Sequence, residues 1–222
     1  VARPSAETEL HPRRASRDAG ATVREPKAGL ISVEQRAIAL DQRPFTVWLV
    51  GLPRSGKSTL AHRLEAALYE RGFAVCVLDG ETMRKGVNRD LGFSAADRAE
   101  NLRRSAELAR FLCDHGMITI AAFVTPEVAH RNLARGVVGA DRFLEVWCNA
   151  PIEVCEQRDT AGLYAAARRG ELSNVTGVDS PFEVPADPAL VLDTATMDVD
   201  GNLDRLLAEL SRRGLLTRPS AG

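Results

Sequence analysis

The stretch with the clearest chemistry is GLPRSGKST at residues 51–59, which has the spacing of a phosphate-binding loop, G-x-x-x-x-G-K-[ST]. The apolar run FTVWLV precedes it at residues 45–50, and the helix-like segment LAHRLEAALYERG follows at residues 60–72. In such a loop, backbone N–H groups point at anionic phosphates, and the free amides at the helix start add positive charge. We expect Lys57 to reach the β- and γ-phosphates of a nucleotide and the Ser58 hydroxyl to bind Mg²⁺.

The alternative interpretation of this phosphate loop is a glycine turn with an incidental lysine, which the flanking strand and helix disfavour. Lysine occurs only at Lys27, Lys57 and Lys85, while arginine supplies the other basic side chains, so a lysine kept in the loop is informative. The residues predicted to hold the nucleotide are Gly51, Leu52, Pro53, Arg54, Ser55, Gly56, Lys57, Ser58 and Thr59.

An acidic residue, Asp79, follows the next apolar run, FAVCVL at residues 73–78. Ligands of open parallel sheets bind where the strands end, and a motor or switch ATPase usually has a Mg²⁺-holding aspartate beside the loop. The third apolar run is followed instead by Thr125 and Pro126. This pattern favours a small-molecule kinase, in which Asp79 takes the proton of the acceptor hydroxyl or holds Mg²⁺ through water. The alternative is that Asp79 caps a helix.

A basic and amide-rich segment follows Asp79 and contains Arg84, Arg98 and Asn101. Arg98 and Asn101 are three residues apart and share a helix face, so with Arg84 they could clamp an anionic acceptor. Phe93 lies among them and could stack on a base or a guanidinium group. The alternative, a solvated charged segment with one buried phenylalanine, stays open.

The elements that position these residues alternate between apolar strands and helices. We predict strands at the following residues: 45–50, 73–78, 117–124, 142–148 and 189–194. Because these runs are continuously apolar, both sheet faces are expected to be covered by helices. The sequence therefore predicts a doubly wound, parallel, five-stranded α/β sheet with helices on both faces.

Helix signals support this architecture. A helix is predicted from a Ser94 cap to Gly116, another has Pro126 in its first turn, and a last one carries a leucine stripe closed by Gly214. A polar, arginine-bearing segment at residues 158–173 interrupts the pattern. We interpret it as a lid over the phosphates, with an ordinary surface helix as the alternative.

Composition narrows the function classes. The chain has 222 residues and a net charge of -1, so no global basic field argues for nucleic acid or a membrane surface, and no apolar run could span a bilayer. The four cysteines have no C-x-x-C pairing and the four histidines no ligand spacing, which indicates buried, reduced thiols in a cytoplasmic protein, with a metal site as the alternative.

The domain boundary is predicted near residue 30. Residues 1–29 lack apolar periodicity and are expected to form a disordered linker or arm, and residues 30–222 form the phosphate-loop domain. The chain begins with Val1 rather than Met, which suggests a processed chain or a piece of a longer polypeptide.

From about residue 31 onwards the chain resembles the adenylylsulfate (APS) kinase family, which transfers the γ-phosphate of ATP to the 3′-hydroxyl of adenosine 5′-phosphosulfate and makes PAPS for sulfate assimilation. The longest matching block is DGETMRKGVNRDLGFSAADRAENLRR at residues 79–104. Shorter blocks are FVTP, CEQRD, GLY, TGVDSPFEVP and LDT. The resemblance implies a P-loop kinase with ATP and Mg²⁺ as cofactors, frequent homo-oligomers, and frequent fusion to an ATP sulfurylase.

The resemblance also implies residue roles. Asp79 matches an acidic residue near the acceptor hydroxyl, and the expected acceptor contacts are Arg84, Phe93, Arg98, Asn101, Val124 and Leu163. Thr125 stands where the family usually has a serine that is phosphorylated in some members, and Arg158 and Thr194 match positions near the ATP adenine and the lid. We therefore predict Asp79, Lys57 and Thr125 as catalytic, and Ser58 and Asp79 as Mg²⁺ ligands.

The departures from the family pattern concern both halves of the site. Pro53 and Arg54 replace a Ser and a Gly, and a positive φ at Arg54 would cost on the order of 1 kcal/mol. Lysines expected in the lid are absent, and Val175 replaces a phenylalanine that stacks on the acceptor's adenine. The lid positions are Ala161, Ala165 and Ala166. Two alternatives therefore stay open: a weakened, nucleotide-binding structural or regulatory domain, and a kinase for another small acceptor.

Overall fold

The computed structural model describes residues 30–218. The arm predicted at residues 1–29 and the last four residues of the predicted 30–222 domain lie outside the described range. None of the helices between residues 30 and 218 has the length and hydropathy needed to cross a bilayer.

A five-stranded parallel sheet forms the centre of the fold, as predicted. Its strands are β1 (Thr46–Val50), β2 (Val75–Asp79), β3 (Ile118–Ala122), β4 (Phe143–Asn149) and β5 (Leu190–Asp193). The order across the sheet is β2-β3-β1-β4-β5, and every neighbouring pair is parallel. All strands therefore end at the same edge, and the phosphate loop leaves the central strand.

Eight helices surround this sheet within residues 30–218: α1 (Val33–Ala39), α2 (Lys57–Glu70), α3 (Gly80–Lys85), α4 (Ala95–Asp114), α5 (Val128–Val138), α6 (Ile152–Gln157), α7 (Leu163–Arg168) and α8 (Val199–Arg212). The predicted cap of α4 is present, because the Ser94 hydroxyl accepts a hydrogen bond from the Asp97 N–H. The lid prediction corresponds to the short helix α7 and its flanking turns.

The prediction that Pro126 lies in the first turn of a helix was wrong by two residues. Helix α5 begins at Val128, after the N-cap residue Glu127. The Pro126 carbonyl accepts hydrogen bonds from the Glu183 N–H at 2.9 Å and from Arg131 at 3.2 Å. A carbonyl used by these tertiary contacts cannot also start the helical ladder, so the helix begins later.

Alternation along the central strand divides the core between the two faces of the sheet. Val47 and Leu49 pack in one cluster with apolar residues of α2 and α8, whereas Trp48 and Val50 pack in a second cluster with α4 and α5. A third, smaller cluster lies under the α6–α7 region. Both sides of β1 are thus held by packed helices, which fixes the point where the phosphate loop begins.

Helix α2 carries the end of the phosphate loop, and its apolar side is anchored by Leu64, which is fully buried. We expect Leu64→Ala to lower the free energy of unfolding by about 2–5 kcal/mol, since it removes buried methyl groups and leaves a cavity. The measurement is urea-induced unfolding followed by circular dichroism. The control Leu133→Ala, at a position that is 37% exposed on α5, should cost about 0.5 kcal/mol or less, and an equal loss in both variants would contradict this account.

Candidate active site

The phosphate loop has its shape because two motif glycines adopt backbone angles that other residues avoid. Gly51 has φ of 151° and Gly56 has φ of 92°. A Cβ atom on Gly51 would lie 2.5 Å from the Cys148 carbonyl oxygen and 2.7 Å from the Ser55 hydroxyl. The G-x-x-x-x-G spacing is therefore a steric requirement of this turn and not only a motif.

The start of α2 is open to an anion. Gly56 is the N-cap residue and offers no side-chain hydrogen bond to the first amides of the helix. The first N–H groups of any helix lack partners within that helix, and the helix dipole adds positive charge at the same point. The loop therefore ends in donors aimed at the position where phosphates bind in proteins of this local geometry.

Lys57 is held inside the loop. Its side-chain Nζ donates to the carbonyls of Gly51 at 3.0 Å and Leu52 at 2.7 Å, and only 7% of the residue is exposed. Burial lowers the pKa of Lys57 to about 8, because the charged form loses hydration that these neutral carbonyls replace only in part. An anionic ligand beside this ammonium group would favour the charged form again.

Ser58 and Asp79 are in direct contact. The Ser58 hydroxyl donates to Asp79 Oδ2 at 2.5 Å, while Oδ1 of the same carboxylate accepts from the Glu81 N–H at 2.9 Å. Asp79 is thus the cap of α3, as the alternative interpretation held, and it is also joined to the phosphate loop. Within residues 30–218 no group of three His, Cys, Asp or Glu side chains could hold a metal.

The Ser58–Asp79 pair nevertheless suits Mg²⁺. This ion prefers oxygen ligands and usually takes one or two protein ligands together with substrate phosphates and waters. A hydroxyl and a carboxylate with adjacent oxygens, at the end of a phosphate loop, are the donor set that such a site needs.

A cleft of about 510 Å³ lies beside the loop. The loop side of its wall includes Arg54, Lys57 and Ser58. The predicted nucleotide residues Arg158 and Thr194 line the same cleft, and Arg158 donates to the Thr194 carbonyl at 2.7 Å. Its volume is in the range of small-molecule sites. The sequence analysis missed the remaining wall, which the start of α8 provides: Met197, Asp198, Val199 and Asn202. The position of these residues just after β5, at the carboxyl edge of the sheet, was the available signal.

The φ of Arg54 is 63°, so the positive φ whose cost was considered for this position is present. A non-glycine residue in this region costs on the order of 1 kcal/mol. Its Nε atom pairs with Asp159 Oδ1 at 3.1 Å. Asp159 Oδ2 accepts from the Tyr164 N–H, and the Tyr164 hydroxyl donates to the Pro53 carbonyl, each at 2.8 Å. Two contacts therefore join the phosphate loop to the α7 region: the Arg54 side chain pairs with Asp159, and the Pro53 carbonyl accepts from Tyr164.

The predicted acceptor residues lie outside this cleft, beyond Asp79. The Arg84 guanidinium group lies 4.3 Å from the centre of the Phe93 ring, and it donates to the Gly92 carbonyl at 2.7 Å. Arg98 donates to the Phe93 carbonyl at 3.1 Å and to the Asn174 carbonyl. The structure thus brings Arg84, Phe93 and Arg98 together, and Phe93 is 64% exposed.

The other predicted acceptor residues are less accessible. Asn101 is 5% exposed and accepts a hydrogen bond from Asn88 at 2.9 Å. Val124 and Leu163 are half-buried, and the Val124 carbonyl accepts from the Gly51 N–H at 3.4 Å. The sequence analysis gave Asn88 no role, although it orients Asn101.

Two predicted positions are buried. Thr125 is 1% exposed, and its hydroxyl accepts from Trp48 Nε1 at 3.0 Å. Val175 is 5% exposed and packs with Tyr164 in the third cluster. The structure therefore points the Thr125 hydroxyl inward and leaves no open apolar face at Val175 for a base to stack on.

Comparisons with known proteins agree with this geometry. The family model described as adenylylsulphate kinase matches residues 43–193. The adenylyl-sulfate kinase of Bacteroides thetaiotaomicron is 47% identical over 178 residues, which cover 80% of this chain and 89% of that protein.

Solved structures give the same result. The Mycobacterium tuberculosis APS kinase CysC in complex with AMPPNP and APS is similar with a TM-score of 0.73 and 44% identity, over 77% of this chain and 99% of that one. A hexameric APS kinase from Thiobacillus denitrificans is similar with a TM-score of 0.61 and 30% identity, over 79% of this chain and 30% of that one.

Because the pKa of Lys57 is lowered in the free protein, we expect the binding of an anionic ligand to be coupled to proton uptake. We expect ADP binding to take up about a quarter of a proton at pH 7.5 and about nine-tenths at pH 9, because the phosphates re-protonate a lysine whose pKa in the free protein is about 8. Calorimetry in buffers of different ionisation enthalpy measures this uptake. The exposed Lys85→Met variant should keep it and Lys57→Met should lose it, whereas uptake that does not rise with pH would contradict the assignment.

Proposed function

The chain belongs to the adenylylsulphate kinase family, and we propose on that premise that it transfers the γ-phosphate of ATP to the 3′-hydroxyl of adenosine 5′-phosphosulfate, giving PAPS for sulfate activation. The observation that carries this proposal is the 2.5 Å contact between Ser58 and Asp79. It joins the phosphate loop to Asp79, the cap of the helix α3 that carries Arg84. A phosphoryl donor bound at the loop and a hydroxyl acceptor bound beside α3 would meet at Asp79.

The donor side of the mechanism follows from the loop. ATP binds with its phosphates on the amides at the start of α2, and the Lys57 ammonium group moves from loop carbonyls to the β- and γ-phosphate oxygens. Ser58 would hold Mg²⁺ directly and Asp79 would hold it through a water, which leaves an Asp79 oxygen for the acceptor's proton, and the ion would supply charge neutralisation on the transferring group. Arg158 and Thr194 take the adenine end of the cleft.

The acceptor side depends on Asp79, Arg84, Phe93 and Arg98. The Asp79 carboxylate orients the attacking 3′-hydroxyl and accepts its proton, which leaves the nucleophile aligned with the γ-phosphate. Arg84 and Arg98 bind the sulfate and phosphate oxygens, and Phe93 offers an exposed ring to the adenine. The contacts that both arginines make with backbone carbonyls keep their guanidinium groups near this position before the acceptor arrives.

Thr125 enters the proposal as a positioning residue rather than a catalytic one. Its hydroxyl is bonded to Trp48 and its carbonyl accepts from Arg131 at 2.9 Å, so the residue fixes the turn after β3. Val124 and Leu163 complete the wall of the acceptor site. The homo-oligomer remains a proposal, which the hexameric Thiobacillus denitrificans relative supports. Fusion to an ATP sulfurylase also remains an expectation.

Asp79→Asn tests the proposal because asparagine keeps a capping oxygen for α3 and removes the negative charge. We expect PAPS formation from labelled ATP and APS to fall by at least about a hundredfold, since the general base is lost, while ADP binding changes far less. Product is separated by chromatography and quantified by the label.

Asp187→Asn makes the same change at an exposed carboxylate away from the phosphate loop; it is the control and should retain full turnover. Full turnover in Asp79→Asn would remove the assigned base. Tight binding of ATP and APS by the unaltered protein without any PAPS would establish the binding-only alternative, which the catalytic names of the relatives do not favour.

A further inference from the structure

The Arg54 side chain lines the cleft and has hydrogen-bond donors that no residue in the 30–218 range uses. Its Nε atom pairs with Asp159, and 42% of its side chain is exposed. Its two terminal amino groups make no hydrogen bond to any residue in the 30–218 range. A guanidinium group with one edge paired and the other edge free is suited to phosphate oxygens, which it can bind through two parallel hydrogen bonds.

The carboxylate that holds Arg54 is itself fixed. The Asp159 side chain is only 2% exposed, and its second oxygen accepts from the Tyr164 N–H. The pKa of Asp159 lies below its usual range, with hydrogen bonds from Tyr164 and Arg54 outweighing the effect of burial. Asp159 is therefore charged at neutral pH and orients the guanidinium group without occupying its terminal amino groups.

Backbone strain also indicates a function for this side chain. Arg54 keeps a φ of 63° that glycine or asparagine would adopt more easily. Residues held in such conformations cluster at ligand sites, where surrounding contacts over-determine them. Here the contacts are the Asp159 pair and the hydrogen bond from the Tyr164 hydroxyl to the Pro53 carbonyl.

The α7 segment offers the cleft little unpaired positive charge. Ala161 and Ala165, near and on α7, are exposed and carry no charge, and Arg168 and Arg169 at its end pair with Glu156 and Glu171. Among the residues that line the cleft, the cationic side chains are Arg54, Lys57 and Arg158, and Arg158 donates to the Thr194 carbonyl. Arg54 differs from Arg158 in how it is held: its Nε is fixed by a carboxylate, which leaves both terminal amino groups on one edge for a ligand.

We propose that the Arg54 guanidinium group is a phosphate ligand of the bound nucleotide, held in place by Asp159 as a positioning residue. This inference rests on the proposed function only for the identity of the nucleotide. It goes beyond the prediction for the loop, which concerned the backbone amides, because it assigns binding to a side chain that replaces the usual glycine. The positive charge then comes from within the phosphate loop and not from the lid.

Arg54→Asn is the informative variant, because asparagine tolerates a positive φ and removes the charge. We expect the ADP dissociation constant, measured by calorimetry, to rise by about tenfold, the loss typical of one charge-assisted hydrogen-bonded contact. Arg54→Lys keeps the charge and should lose about threefold or less. Asp159→Asn should fall between these variants, since it frees the guanidinium group from its fixed orientation.

Arg205→Asn, which removes an exposed arginine from α8, controls for net charge and should leave the affinity unchanged. The melting temperature of the unliganded protein separates binding from folding. Arg54→Asn removes the cation beside the buried Asp159 carboxylate and should lower the melting temperature, whereas the double variant Arg54→Asn/Asp159→Asn removes both charges and should recover it without recovering ADP affinity. Unchanged ADP affinity in Arg54→Asn would overturn the proposal, and so would an ADP affinity that returns together with the melting temperature in the double variant.

PAPS formation is measured on the unaltered protein in parallel. ADP binding that depends on Arg54 without PAPS formation contradicts only the proposed function. PAPS formation together with unchanged ADP binding in Arg54→Asn contradicts only this inference.

Discussion

The burial of the Lys57 ammonium group inside its own loop is the interaction on which the site depends. A buried charge is costly unless polar groups surround it, and here the loop supplies them, through the carbonyls of Gly51 and Leu52. The loop can curl around the lysine because Gly51 and Gly56 adopt positive φ angles, and the first amides of α2 have no side-chain cap. The same curl that satisfies the lysine therefore also forms the proposed anion site, and in that proposal the Lys57 side chain is the group that moves when phosphates bind.

The topology of the sheet decides what stands beside this loop. Strand β3 lies between β1 and β2, so Asp79 is one strand removed from the position where a switch ATPase has its metal-binding aspartate. Asp79 still reaches Ser58 because it turns into α3 immediately after the strand and caps that helix. The cap and the proposed catalytic role would be two uses of one carboxylate: the cap holds one oxygen of Asp79, and the second oxygen contacts Ser58 of the loop.

Much of the fold and part of the site could be predicted from the sequence. The five strands were located within two residues of their ends, because their apolar runs are continuous, although full burial is confined to β1 and β3 and the edge strands β2 and β5 are only partly covered. The loop and Asp79 were identified because their spacing along the chain carries the signal. The Arg54–Asp159 pair was not identified, since its partners are 105 residues apart and no sequence pattern connects this arginine to this aspartate. The inward orientation of Thr125 and the burial of Val175 depend on packing against Trp48 and Tyr164, which no local pattern encodes.

Backbone strain within residues 30–218 is concentrated around the site. Four non-glycine residues in this range have a positive φ, and three of them are Arg54, Thr125 and Asn174. Arg54 follows β1, Thr125 follows β3, and the Asn174 carbonyl accepts a hydrogen bond from Arg98. Each is held by a side chain from a distant part of the chain: Arg54 by Asp159, Thr125 by Trp48, and Asn174 by Arg98. Nearby side chains add to the last two, Arg131 at Thr125 and Asp179 at Asn174. Strained turns persist only when rigid surroundings over-determine them, and the two packed faces of the sheet provide that rigidity. The core therefore does more than stabilise the fold, because it keeps donor and acceptor residues in conformations that an isolated loop would leave.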